Sequence, residues 1–205
     1  MRFRLGNVPQ GTDVPAEAEG WHRIHSPASR PGYLLAVSTG FLLFVILCGG
    51  VSIVSALVGL ASWQEAPGST SPLDGAIWAL LLYIPVHELL HAVWHPRAGL
   101  SDRTVFVVWP ARLNFGVYYD GCMSLGHWLR MRLAPFLFFS VAPALILAGL
   151  RTQPAPVAVT AFFEALILVN CIGSGGDIIA AVWVLRQVPR EAHICFAGGR
   201  AYWRN

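Results

Sequence analysis

Charge is scarce in this sequence. Asp, Glu, Lys and Arg together make up 12% of its 205 residues, about half the roughly 25% usual in a soluble domain. Lysine is missing altogether, and all 14 basic residues are arginine. A net charge of +3 is too weak to mark a nucleic-acid-binding protein. Cysteine is sparse as well. Cys48, Cys122, Cys171 and Cys195 show no CxxC spacing, which argues against a cysteine-based zinc ribbon or a disulfide framework. Internal repeats and low-complexity tracts are also lacking.

What the sequence does have is apolar length. Hydrophobic residues fill 55% of the chain, more than a soluble domain of this size can hide behind a polar coat. Tyr33 to Leu60 contains no charge in 28 residues, enough to cross a hydrocarbon core. Further apolar runs cover 75–94, 133–150 and 157–185, the 133–150 run carrying Pro135 and Pro143 as kink points. The expected fold is therefore an all-α integral membrane protein of four spans over residues 33–185. Residues 1–32 read as a polar solvated arm and 186–205 as a tail. In the polar 95–132 loop, Thr104–Trp109 and Leu113–Tyr119 flank Pro110-Ala111-Arg112 and read as a small β-hairpin at the membrane surface.

Arginines set the expected orientation. The arm holds Arg2, Arg4, Arg23 and Arg30, the hairpin loop five more and the tail four, whereas the 61–74 loop has none and the 151–156 turn only Arg151. By the positive-inside rule both termini and the hairpin are cytoplasmic.

The chemistry concentrates in Val86-His87-Glu88-Leu89-Leu90-His91-Ala92. On a helix, His87 and His91 lie one turn apart on one face, so both imidazoles reach one metal. Glu88 lies about 100° round from His87, close enough to touch a water there without being a ligand. Ionisable side chains inside an apolar helix are costly, and their default reading is functional. Two histidines and a water leave zinc one protein ligand short. His95 continues the same stripe, and three ligands in a row along one helix cannot surround a tetrahedral ion. His127, beside Trp128, reads as an interfacial side chain. Glu164 falls about 220° round the last helix from Asp177 and belongs elsewhere. Asp177 is the better third ligand, with Asn170 and Ser174 on its helical face to orient it or to touch substrate. The glycines at 173, 175 and 176 allow close approach of another helix.

An intramembrane VHELLHA, an Arg-bearing hairpin region, a Pro-containing third span and a late Ser-Gly-Gly-Asp-Ile helix resemble the bacterial DUF3267 family of zincin-type peptidases, itself similar to the site-2 protease class. The likeness covers most of residues 33–200. It implies His87, His91 and Asp177 as Zn²⁺ ligands and Glu88 as catalytic base, in the cell membrane of a bacterium. Site-2 proteases carry an Asn, then prolines, then Leu-Asp-Gly. Here Asn170 precedes Asp177 without a proline, and Ile178 replaces the Gly. The expected function is zinc-dependent cleavage of a membrane-associated peptide near the cytoplasmic face, the hairpin offering an edge to an extended segment. The competing expectation is a non-proteolytic membrane scaffold or regulatory protein with a structural metal.

Overall fold

The structure is a computed structural model that describes residues 1–6, 20–25, 30–57, 71–110, 114–150, 155–197 and 200–205. Five α-helices carry the apolar runs: α1 (Arg30–Leu57), α2 (Pro72–Val93), α3 (Leu125–Phe136), α4 (Ala142–Leu150) and α5 (Val157–Leu185). A π-helical turn, Leu137–Val141, joins α3 to α4, so that Leu125–Leu150 reads as one apolar rod. Four helices are thus long and apolar enough to cross a membrane. The third begins at Leu125, earlier than its apolar run suggests. Leu125, Trp128 and Met131 recur at helical spacing and are buried, while Arg130 faces outward. Most of the 61–74 loop, the start of the 151–156 turn and Arg112 lie outside the described residues.

The expectation of an all-α chain with one hairpin needs correction, because among the described residues seven strands form two sheets. In the first, β3 (Thr104–Trp109) pairs antiparallel with β4 (Asn114–Tyr119), which is the expected hairpin. It gains a third strand, β1 (Arg2–Leu5), parallel to β3. The second sheet runs β2-β7-β6-β5, built from His22–Arg23, Arg200–Arg204, His193–Ala197 and Cys122–Ser124. Segments expected as a solvated arm and tail therefore contribute strands. Their alternating side chains are few and short, and a strand's backbone partners cannot be read from its own residues.

The cysteines also differ from expectation. Cys122 and Cys195 are direct cross-strand partners on β5 and β6 and form a disulfide, whereas Cys48 and Cys171 are not disulfide-bonded. A pair 73 residues apart in sequence has no spacing signature to recognise.

The chain divides into two compact units, one of residues 1–28, 88–134 and 178–205, the other of 29–87 and 135–177. The first has a core of Met123, Leu125, Trp128, Met131, Val184 and Ile194 with their neighbours. In the second, Ala144, Leu147, Ile167 and Cys171 pack together, with Leu43, Phe44 and Leu47 of α1 against them. Small residues bring its helices close. A Cβ on Gly40 would overlap the Cys171 carbonyl, one on Gly175 the Ala36 carbonyl, and one on Gly75 the Ala158 carbonyl. Glycine permits these backbone-to-backbone approaches, which take the place of a hydrophobic driving force between apolar helices.

Candidate metal centre

His87 and His91 lie on α2 and Asp177 on α5, and all three are buried at 6–7% exposure. One ligand atom from each lies within 4.8 Å of the others. His87 Nε2 is 3.7 Å from Asp177 Oδ2. That is too long for a hydrogen bond, and close to the roughly 3.4 Å expected between two ligands of one tetrahedral zinc.

The ring tautomers follow from what each Nδ1 touches. His91 Nδ1 is 2.9 Å from the Met131 carbonyl, which can only accept, so Nδ1 carries the proton and Nε2 presents its lone pair. That carbonyl is available for a sequence reason. Its α-helical partner would be the amide of residue 135, a proline with no N–H. His87 Nδ1 is 3.0 Å from Asn170 Oδ1. The Asn170 amide nitrogen donates to the Pro135 carbonyl (3.0 Å) and the Ser140 hydroxyl (2.8 Å). The Pro135 contact fixes which end of the amide faces His87, so this Nδ1 also donates and Nε2 is again the ligand face. Ser174 Oγ donates to the same Asn170 oxygen at 3.2 Å.

Asn170 and Ser174, expected to orient Asp177 or to touch substrate, stand behind His87. Ser140, in the π-helical turn, and the carbonyls of Met131 and Pro135 were not singled out by sequence reasoning. Carbonyls carry no sequence signal. Pro135 could have pointed to the Met131 carbonyl, because a proline in an apolar helix always frees one. Tyr83, one turn before His87, packs against its ring at a tilt of 59°, with centroids 5.1 Å apart.

Glu88 points to a different neighbour, its Oε2 accepting from the Val117 N–H of β4 at 2.9 Å. His95, His127 and Glu164 lie outside the group that could hold a metal. His95 Nδ1 meets the Thr104 hydroxyl at 3.2 Å, and its ring packs on Tyr119. Burial first, then the neighbouring His91, His127 and Arg132, push His95 down to about 4, so it is a neutral ring at pH 7. His127 Nε2 donates to the Trp94 carbonyl.

Two imidazole nitrogens with fixed tautomers and one carboxylate oxygen suit zinc, and the spacing of the three is compatible with a single ion. The fold and the site together define a chain of membrane-type helices with a buried His-His-Asp centre able to hold a metal. Its residues 80–193, more than half of the chain, match the DUF3267 family, described as "Putative zincin peptidase", and the chain belongs to that family. No curated protein and no solved structure matches it.

Proposed function

We propose that the protein is a zinc-dependent peptidase that hydrolyses a peptide bond of a membrane-associated substrate. His87, His91 and Asp177 hold the ion, and both chain termini lie on the cytoplasmic side. The observation that carries this reading is the pair of Nδ1 contacts, to Asn170 and to the Met131 carbonyl, which turn two Nε2 lone pairs toward one carboxylate. Zinc bound there supplies a Lewis acid that polarises a carbonyl and acidifies water. Glu88 accepts the proton of the attacking water as its oxygen bonds to the carbonyl carbon. It returns that proton to the leaving amine as the C–N bond breaks.

The β4 edge supports an extended substrate. Asp120 N–H donates to the Arg103 carbonyl, so by antiparallel alternation residues 116 and 118 also face β3, while 115, 117 and 119 face outward. The outward Val117 N–H is the one that meets Glu88. A peptide segment laid along this edge has its backbone beside the proposed base.

The test compares wild-type chain with Glu88→Gln in proteoliposomes, reading zinc content and cleavage of a library of single-span peptides. The expected result is unchanged zinc with cleavage abolished. A structural zinc site in a scaffold predicts instead no cleavage by either protein and no cellular consequence of Glu88→Gln.

A further inference from the structure

The first sheet carries a contiguous, largely exposed apolar face. Register places Phe3, Phe106 and Val117 side by side on one face, with Leu5, Val108 and Phe115 as the next row. Phe3 and Phe106 stack with centroids 5.3 Å apart. Phe3 is 78% exposed, Leu5 81% and Phe115 47%, and the other three are half-buried. Strand alternation turns Arg2 and Arg4 to the opposite face. Monomeric soluble proteins rarely leave so contiguous an apolar patch in water.

Two contacts give the direction in which the hairpin runs. At its open end Thr104 and Tyr119 both meet His95, just beyond the last residue of α2. Two residues further along β4, Val117 meets Glu88. Glu88 lies seven residues back along the helix from His95, about 10 Å toward its middle. The strands therefore run back alongside the last turns of α2, as far as Glu88, and α2 is one of the four helices long and apolar enough to cross a membrane. Phe106, Val108, Phe115 and the paired Phe3 and Leu5 follow the same course. At Val117 the outward N–H of the β4 edge is taken by the Glu88 carboxylate.

We infer that the β1-β3-β4 sheet dips into the bilayer, with the Phe3, Leu5, Phe106, Val108, Phe115 and Val117 face against lipid acyl chains. The occupant of this face is the leaflet that surrounds the end of α2. On the other face Arg2 is held by Asp120 and the Asp102 carbonyl, and Arg4 reaches the headgroup phosphates, the arrangement of an amphipathic interfacial element. The N-terminal strand β1 is thereby a lipid anchor.

Spin labels on the full chain test this in vesicles of phosphatidylcholine and phosphatidylglycerol. They are placed singly by Phe3→Cys, Arg4→Cys, Leu5→Cys and Phe115→Cys in a Cys48→Ala, Cys171→Ala background that keeps the disulfide. Labels at 3, 5 and 115 are expected to collide with oxygen several-fold more than with a water-soluble nickel chelate, and the label at 4 to show the reverse. Nickel access at 3, 4 and 5 alike puts the face in water and overturns the inference. Exclusion of both reagents at 3 and 5, with spin–spin broadening, puts a second copy of the chain there and overturns it equally. The unsubstituted chain gives an independent reading. A phospholipid with a photoactivatable acyl chain should label the 3–5 and 115 regions, and labelling confined to the helices would sink the proposal. Neither readout depends on cleavage.

Discussion

Asn170 presents its side-chain oxygen to His87 Nδ1 at 3.0 Å from a position with no solvent exposure. The same amide donates to the Pro135 carbonyl and to Ser140, so its orientation is set from behind. One buried residue thus decides both the rotamer and the tautomer of a candidate metal ligand. Partners of this kind are worth a good share of a metal's affinity.

Asn170→Leu removes that orientation and leaves the Pro135 carbonyl and Ser140 without their partner. Zinc affinity should fall about 10- to 100-fold, read by competition with a fluorescent chelator. An unchanged affinity would mean that the imidazole is held some other way.

Val117→Pro deletes the N–H that Glu88 accepts, at a position whose N–H faces away from β3, where proline is tolerated. Zinc content should stay at the wild-type level. Cleavage should weaken through kcat, since the proposed base Glu88 loses the N–H that holds its carboxylate. A loss of zinc in this variant would contradict the separation of Glu88 from the ligand set.

Gly40→Ala places a methyl against the Cys171 carbonyl, and Gly75→Ala one against the Ala158 carbonyl. Both obstacles are backbone, so the helices must separate. Each variant should lose about 1–3 kcal/mol of stability in detergent, the usual cost of overpacking. Gly49→Ala and Gly149→Ala, where a Cβ meets nothing within 4 Å, should stay near wild type. Thermal melts of the four variants give the comparison.

The Cys122–Cys195 disulfide and the arginine distribution point to opposite sides of the membrane for the same sheet. Disulfides persist in oxidising compartments, whereas arginine-rich loops favour the cytoplasm. Alkylation of the denatured chain should modify two thiols without reductant, those of Cys48 and Cys171, and four with it. Repeating this on protein quenched directly in cells, together with a membrane-impermeant reagent on Arg200→Cys, reads the bond and the sidedness in one preparation. The proposed cytoplasmic termini fail if Arg200→Cys is labelled from outside.

The apolar runs and the HELLH spacing were legible because each depends on near neighbours in sequence. Membrane-spanning length is a count of uncharged residues, and one helical turn separates His87 from His91 whatever surrounds them. The nomination of Asp177 rested on the cost of a carboxylate in an apolar segment, and its position beside His87 agrees with that argument. Periodicity puts Asn170 and Ser174 on the Asp177 face of α5, and the structure adds that Asn170 meets His87 and Ser174 meets Asn170. A shared helical face says which residues are near one another, not which of them a facing helix will meet.

The sequence by itself determined which segments are long and apolar enough to cross a membrane and which helix carries the metal-type histidines, since apolar length and helical spacing are local quantities. The tertiary structure alone decided the rest. It gave the tautomers of the two histidines, through Asn170 and a carbonyl that Pro135 leaves free. It gave the disulfide between residues 73 apart, and the pairing of the first residues with the hairpin in a sheet. These rest on backbone groups and long-range partners, and such groups are the same in every residue until the fold brings them together.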